Sequence, residues 1–338
     1  MSRFLVAAAL LAGAVLPAGA RGEPIAKVRF ARQLEIPSAW ETFRRPTAVH
    51  ADLHAGEVFV VDGGAHRIVI FDARGLERYV IRGGATFRGG SDVAVDPEGR
   101  ILVLARHEGR QEVIELDFDG ADSRVLDLDL PASAGAGAGD GDGDERLVSL
   151  ALSPDGATLY LLDEARRRLL LFARDGHLRA TVDLAADLDE RRAREMILTR
   201  VDVYLDTVLV PDPMSGRVLL FDLDGRPAGS VGIQGGTACT TGFPVAAALA
   251  DDGVVYVLDR QKALISAWDR TTNRCLGEAA GIGETPGRLY QPIDLALDGD
   301  GRLYTAQGLA SRVQMFEGAL PAAGGRSRKF DRFEGVEP

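Results

Sequence analysis

A six-bladed β-propeller, all-β and built from four-stranded antiparallel blades, is the fold this sequence predicts, and three observations predict it. One pattern is written six times: an apolar strand, a turn, a second strand, a polar loop, and a third strand ending in an aromatic or acidic residue. The residues closing the second strands, Asp62, Ala105, Asp163, Asp212, Asp259 and Gln307, fall 43 to 58 positions apart. A repeat of this length made of short strands is the mark of a propeller. The second strands also read as continuous apolar runs, such as Val58-Phe-Val-Val61 and Val254-Val-Tyr-Val-Leu258, and such runs suit sheets covered on both faces.

Along the chain, residues 1–20 come first and stand outside the fold. Arg3, an apolar run from Phe4 to Leu16 and the small-x-small site Ala18-Gly-Ala20 are the parts of a secretory signal peptide. That run is too short to span a bilayer, and no later segment approaches the length needed. The protein is therefore expected to be exported, periplasmic or extracellular, with a single propeller domain over residues 21–320. The strand-like stretch 25–36 has no place in the first repeat, while the last repeat lacks a fourth strand. The N-terminal strand is thus expected to close the ring, which protects edges that an open fan would expose.

The blades are expected at about 45–84, 89–130, 146–184, 197–233, 243–281 and 290–318. Hairpin turns are marked by Pro-Glu-Gly99, Pro-Asp-Gly156, Asp-Asp-Gly253 and Gly-Asp-Gly301. The long interval between Ala105 and Asp163 is explained by a Gly- and Asp-rich insertion at 131–145, expected to be a flexible loop. Residues 185–196, rich in Ala, Leu, Glu and Arg, suit a short helix. A charged tail, 321–338, follows the last blade.

Two of the repeats carry a resemblance. Val60-Val-Asp62-Gly-Gly-Ala-His66-Arg67-Ile-Val-Ile-Phe71-Asp72 and Gly281-Ile-Gly-Glu-Thr-Pro-Gly-Arg-Leu-Tyr-Gln-Pro292 are similar to NHL repeats, and the resemblance covers residues 40–318. It implies a bacterial, exported six-bladed ring. It also implies a structural role for the recurring Asp and for Arg67, Arg168, Arg217 and Arg312, tying neighbouring blades together. Repeat two departs from the pattern, with Ala105 at the Asp place and Glu115-Leu116 at the Phe place. Repeat six has Gln307 for Asp.

Net charge is −11, which excludes nucleic acid and anionic membrane surfaces as general partners. In an exported chain the two cysteines, Cys239 and Cys275, are a disulfide candidate that would staple the fifth blade, the alternative being two free thiols. No Cys-x-x-Cys, His-Glu-x-x-His, Gly-x-Ser-x-Gly or phosphate loop is present. Asp140-Gly-Asp-Gly-Asp144 starts like a calcium loop, but Glu145 and Ala151 stand where that loop needs Gly and Glu.

Aligning the inner strands on their apolar cores gives one axial residue per blade: Ala48, Asp92, Ser149, Asp202, Ala246 and Asp294. Asp92, Asp202 and Asp294 would surround the axis at three-fold spacing. Close carboxylates either raise a pKa or hold a cation, and a hard ion such as Ca²⁺ suits oxygen ligands. Gluconolactonase-like propellers, which the ring resembles, hold an axial divalent metal. Around the mouth, Arg88, Arg106, His107, Arg167 and Arg260 give an acidic protein a locally basic face. The reading that follows is a non-enzymatic binding or scaffold module for a protein or carbohydrate partner of the cell envelope. No cofactor is required, although a divalent ion at the channel mouth is allowed. The alternative is a metal-dependent hydrolase or lyase working at the axial mouth.

Overall fold

The computed structural model describes residues 28–37, 41–108, 110–131 and 146–318. The signal peptide, nearly all of the Gly/Asp-rich insertion, and the charged tail lie outside the described residues.

Six four-stranded antiparallel sheets form a ring. Blade one is Pro46–Asp52, Glu57–Asp62, Arg67–Asp72 and Glu77–Arg82. Blade two is Arg88–Val95, Ile101–His107, Arg110–Leu116 and Ser123–Val125. Blade three is Leu147–Leu152, Thr158–Asp163, Arg168–Ala173 and Leu178–Asp183. Blade four is Asp202–Tyr204, Thr207–Asp212, Arg217–Phe221 and Pro227–Val231. Blade five is Pro244–Leu249, Val254–Asp259, Leu264–Asp269 and Arg274–Ala280. Blade six is Asp294–Leu297, Leu303–Gln307 and Arg312–Glu317, and its fourth strand is the N-terminal Arg29–Leu34. Leu34 pairs with Val313 and is fully buried. The expected closure is therefore seen. The expected helix is a short one, Glu190–Glu195, capped by Asp189.

Each apolar strand feeds two cores because successive side chains leave opposite faces of the sheet. In blade one, Phe59, Val61, Ile68 and Ile70 pack with Val93, Ile101 and Val103 of blade two. Their neighbours Val58, Val60, Val69 and Phe71 pack instead with Leu34, Tyr304 and Met315 of blade six. The same division gives a core at each of the other junctions. That is why the second strands are apolar at every position rather than at alternate ones.

The upper face, as used below, carries the loops from second to third strands and the connections between blades. There the Asp of blades one, three and five clasps the chain, joined by the Arg in blades one and three, whereas Arg217 of blade four is exposed. Asp62 accepts from the Arg45 amide at 2.8 Å and from Arg67 Nε at 3.1 Å. Asp163 accepts from Arg168 Nε at 2.9 Å, and Asp259 from the Phe243 amide at 3.2 Å. In blade six Gln307 does the same work, accepting from the Tyr290 amide at 2.8 Å and from Arg312 Nε at 3.2 Å. On the lower face the glycines that turn the third strand into the fourth in blades one to four, Gly75, Gly120, Gly176 and Gly225, are required by close approach. At Gly176, φ is +95° and a Cβ would stand 1.9 Å from the Asp127 carbonyl oxygen. The Cys239 and Cys275 sulfurs are bonded, with Cα atoms 5.6 Å apart, tying the connection into blade five to that blade's outer strand.

Candidate functional site

The inner strands leave one edge unpaired along the axis, and their backbone N–H groups need acceptors. Axial side chains supply them. Asp294 of blade six accepts from the Val49 amide of blade one at 2.8 Å. Asp92 of blade two accepts from the Leu150 amide of blade three at 2.9 Å and from the Ser149 hydroxyl. Ser149 in turn accepts from the Val201 amide of blade four at 3.0 Å. Each of these three axial residues therefore sews its own blade to the next.

These bonds fix the register of blade four and correct the alignment made from sequence. Val201 occupies the place of Val49 and Leu150, so the axial residue of that blade is Arg200 and not Asp202. Strand pairing agrees. Ala48, Asp92, Ser149, Ala246 and Asp294 lie opposite the residue just before Asp62, Ala105, Asp163, Asp259 and Gln307 in turn. In blade four that pairing, continued from Asp202 opposite Leu209, falls to Arg200. Asp202 lies two residues further along, in a second ring with His50, Ala94, Ala151, Ala248 and Ala296. The two polar members of that ring belong to blades one and four, which face each other across a six-fold ring.

Arg200 is the hub of the axis. Its Nη1 lies 3.2 Å from Asp92 Oδ2 and its Nε 3.3 Å from Asp294 Oδ1. It also donates to the Ser91 carbonyl at 3.1 Å and to the Thr47 carbonyl. One side chain thus joins blade four to blades one, two and six. It is 9 % exposed. Burial opposes its charge, but Asp294 and Asp92 more than offset that, and Arg200 holds its proton more firmly than a free arginine. The donor set that the sequence offered for a cation is divided: two carboxylates meet a guanidinium, and the third stands one ring below. Among the described residues, no group of three His, Cys, Asp or Glu side chains is placed to hold a metal ion.

The charge of this cluster is uneven, with three carboxylates to one guanidinium. Protons make up part of the difference. Burial raises the Asp202 pKa to about 7, with Asp294 and Asp92 adding to the rise. Burial also pushes Asp294 upward, against the pull of Arg200. His50 is held below the usual histidine range by burial, although Asp52 and Asp92 oppose this. Above the guanidinium lies a well of 270 Å³ lined by Thr47, Ser91, Val148, Thr199, Val245 and Ile293, with Arg260 at its rim.

The basic residues expected on the mouth do not form one patch. Arg88 lies opposite Arg106 in blade two, and His107 Nδ1 lies 2.7 Å from the Thr86 carbonyl in the same blade. Arg167 of blade three donates to the Arg194 carbonyl at 3.0 Å, across a groove from Arg106. Arg260 stands apart at the channel mouth, donating to Gln291 at 2.8 Å. Arg200 was the residue missed. It could have been found by counting back from the first hairpin: in every blade the axial residue stands four before the residue that opens the hairpin turn, at Asp52, Asp96, Ser153, Tyr204, Ala250 and Asp298.

No family model matches the chain, and no curated protein matches it. Solved structures do. A structural-genomics protein of unknown function from Bacteroides thetaiotaomicron is 15 % identical, with a TM-score of 0.60 over 87 % of this chain and 73 % of that one. A streptogramin B lyase is 12 % identical, with a TM-score of 0.56 over 86 % and 98 %. A catalytically inactive virginiamycin B lyase from Staphylococcus aureus, solved with quinupristin, is 12 % identical, with a TM-score of 0.54 over 83 % and 82 %. At these identities the likeness is one of fold: this chain is a six-bladed β-propeller.

Proposed function

We propose that the protein is an exported, NHL-type binding or scaffold propeller of the cell envelope, holding a protein or carbohydrate partner on its upper face. The observation that carries this reading is Arg200. It takes up the charge of Asp92 and Asp294 from within the chain, at the place where a ring of this kind would otherwise use a metal ion, and its donors are turned to protein acceptors. Among the described residues, Arg88, Arg106 and Arg167 of the upper face are in no ion pair.

The alternative is a hydrolase or lyase with its site at the axial mouth. It is favoured by Asp202, whose raised pKa suits proton transfer near neutral pH. Two assays on the purified protein separate the readings. Charge reversal at Arg88, Arg106 and Arg167 is expected to abolish retention of a crosslinked envelope partner, with no turnover in a lactone and ester screen. Turnover that disappears in Asp202→Asn, with partner retention indifferent to the arginines, would replace the binding reading with the enzymatic one.

A further inference from the structure

Blade two differs from the others at its upper end. Its second and third strands pair out to His107 opposite Arg110. In blade one the hairpin stops at Asp62 opposite Arg67. The fourth strand of blade two is cut short in compensation. Ser123–Val125 pairs with Ile114–Leu116 alone, and one more bond, Leu126 N–H to the Val113 carbonyl at 2.9 Å, ends the pairing. In blades one and three the fourth strand continues to the level of Arg67 and Arg168. Because Val113 turns its carbonyl outward, Gln111, two residues along the same strand, turns its backbone N–H and C=O to the same outer side. No described residue pairs with them there.

This bare edge opens on a groove of 1150 Å³ between blades two and three. Arg106, Arg110, Arg146, Arg167 and Arg194 line it, against Glu112, Asp127 and Glu164. Arg146 is paired with Glu164, and Arg194 with Glu190. Arg106 and Arg110 are exposed and have no acidic partner among the described residues. Glu112 Oε2 and Arg167 Nε are buried without a hydrogen-bond partner. Val125, Leu130 and Ile197 leave apolar surface beside the charges. An exposed strand edge is a template for an added strand. Here it lies in a basic groove on a chain of net charge −11, so charge complementarity selects the occupant.

We propose that the outer edge of blade two at Gln111 is a strand-addition site for an extended, acidic peptide segment of a partner protein. Main-chain hydrogen bonds to Gln111 would supply the register. Arg106 stands opposite Gln111 and Arg110 beside it, so the two arginines leave opposite faces of the sheet. Carboxylates at adjacent positions of the added strand would meet them, and flanking apolar residues would cover Val125 and Ile197. This rests on the reading of the upper face as a binding surface and names the class of partner.

The test is fluorescence anisotropy of the full chain with a labelled peptide of Glu-Glu pairs separated by Val-Val, which places a carboxylate on each face of the added strand. Saturable binding is expected, weakened about tenfold or more by Arg106→Glu with Arg110→Glu, and lost when alternate peptide amides are N-methylated. The proposal is overturned if the peptide does not bind, or if N-methylation leaves binding unchanged, which would make the contact one of charge alone. Binding that appears only after residues 132–145 are replaced by a short Gly-Ser linker would assign the groove to the chain itself and also overturn it. If the peptide fails while partner retention still depends on Arg88, Arg106 and Arg167, the strand site falls and the binding reading stands.

Discussion

Arg200 joins four of the six blades through one side chain. Buried ion pairs are costly to break from one side, by about 3–5 kcal/mol, because the remaining charges lose their partner. Arg200→Met leaves Asp92 and Asp294 facing each other and is expected to lower the melting temperature by roughly 10 °C. Adding Asp92→Asn and Asp294→Asn should restore part of that loss, since the charges then vanish together. A triple variant no more stable than Arg200→Met would show that the guanidinium acts through packing. Asp202 gives a pH signature. Its folded pKa, about 7, lies above that of a free aspartate. The folded state therefore holds the proton more tightly than the unfolded chain, and this group's contribution to stability falls as pH rises from about 4 to about 7. Asp202→Asn removes the fall. Its melting temperature relative to the native protein should thus be higher at pH 8 than at pH 5. A difference that does not change with pH would show that Asp202 is already solvated in the lumen.

At the scale of the element, the strands and their closure were legible because both rest on periodicity. Apolar runs, Gly turns and the orphan strand at 25–36 each left a trace in the order of residues. The axial register was not legible in the same way. A pattern of apolar residues around Asp202 resembles the one around Asp92, and the two-residue offset shows in the hydrogen bond from Val201 to Ser149 and in the strand pairing of blade four. The basic face was read as one surface because its residues recur on equivalent loops. Arg260 parts from the rest because the axial well, rather than the groove, receives its side chain. The bare edge at Gln111 left no trace either, since a fourth strand that stops early differs little in sequence from one that bends. Closure itself makes a prediction. Leu34 fills the core between blades six and one, so removing residues 21–36 should lower the melting temperature of the whole domain. A protein that melts unchanged without them would place the ring's closure elsewhere.

For the molecule as a whole, two kinds of cohesion meet at different radii. Between blades, apolar cores hold the sheets face to face. On the axis, where six inner strands expose their edges, the chain uses charge, and its own arginine joins two of the three carboxylates. The upper face is left to present charge outward. Measurement of divalent metal content together with the melting temperature in the presence and absence of a chelator tests this most directly. The account predicts no stoichiometric metal and no effect of the chelator. About one equivalent of bound Ca²⁺ or another divalent ion, with a melting temperature that falls on chelation, would contradict it.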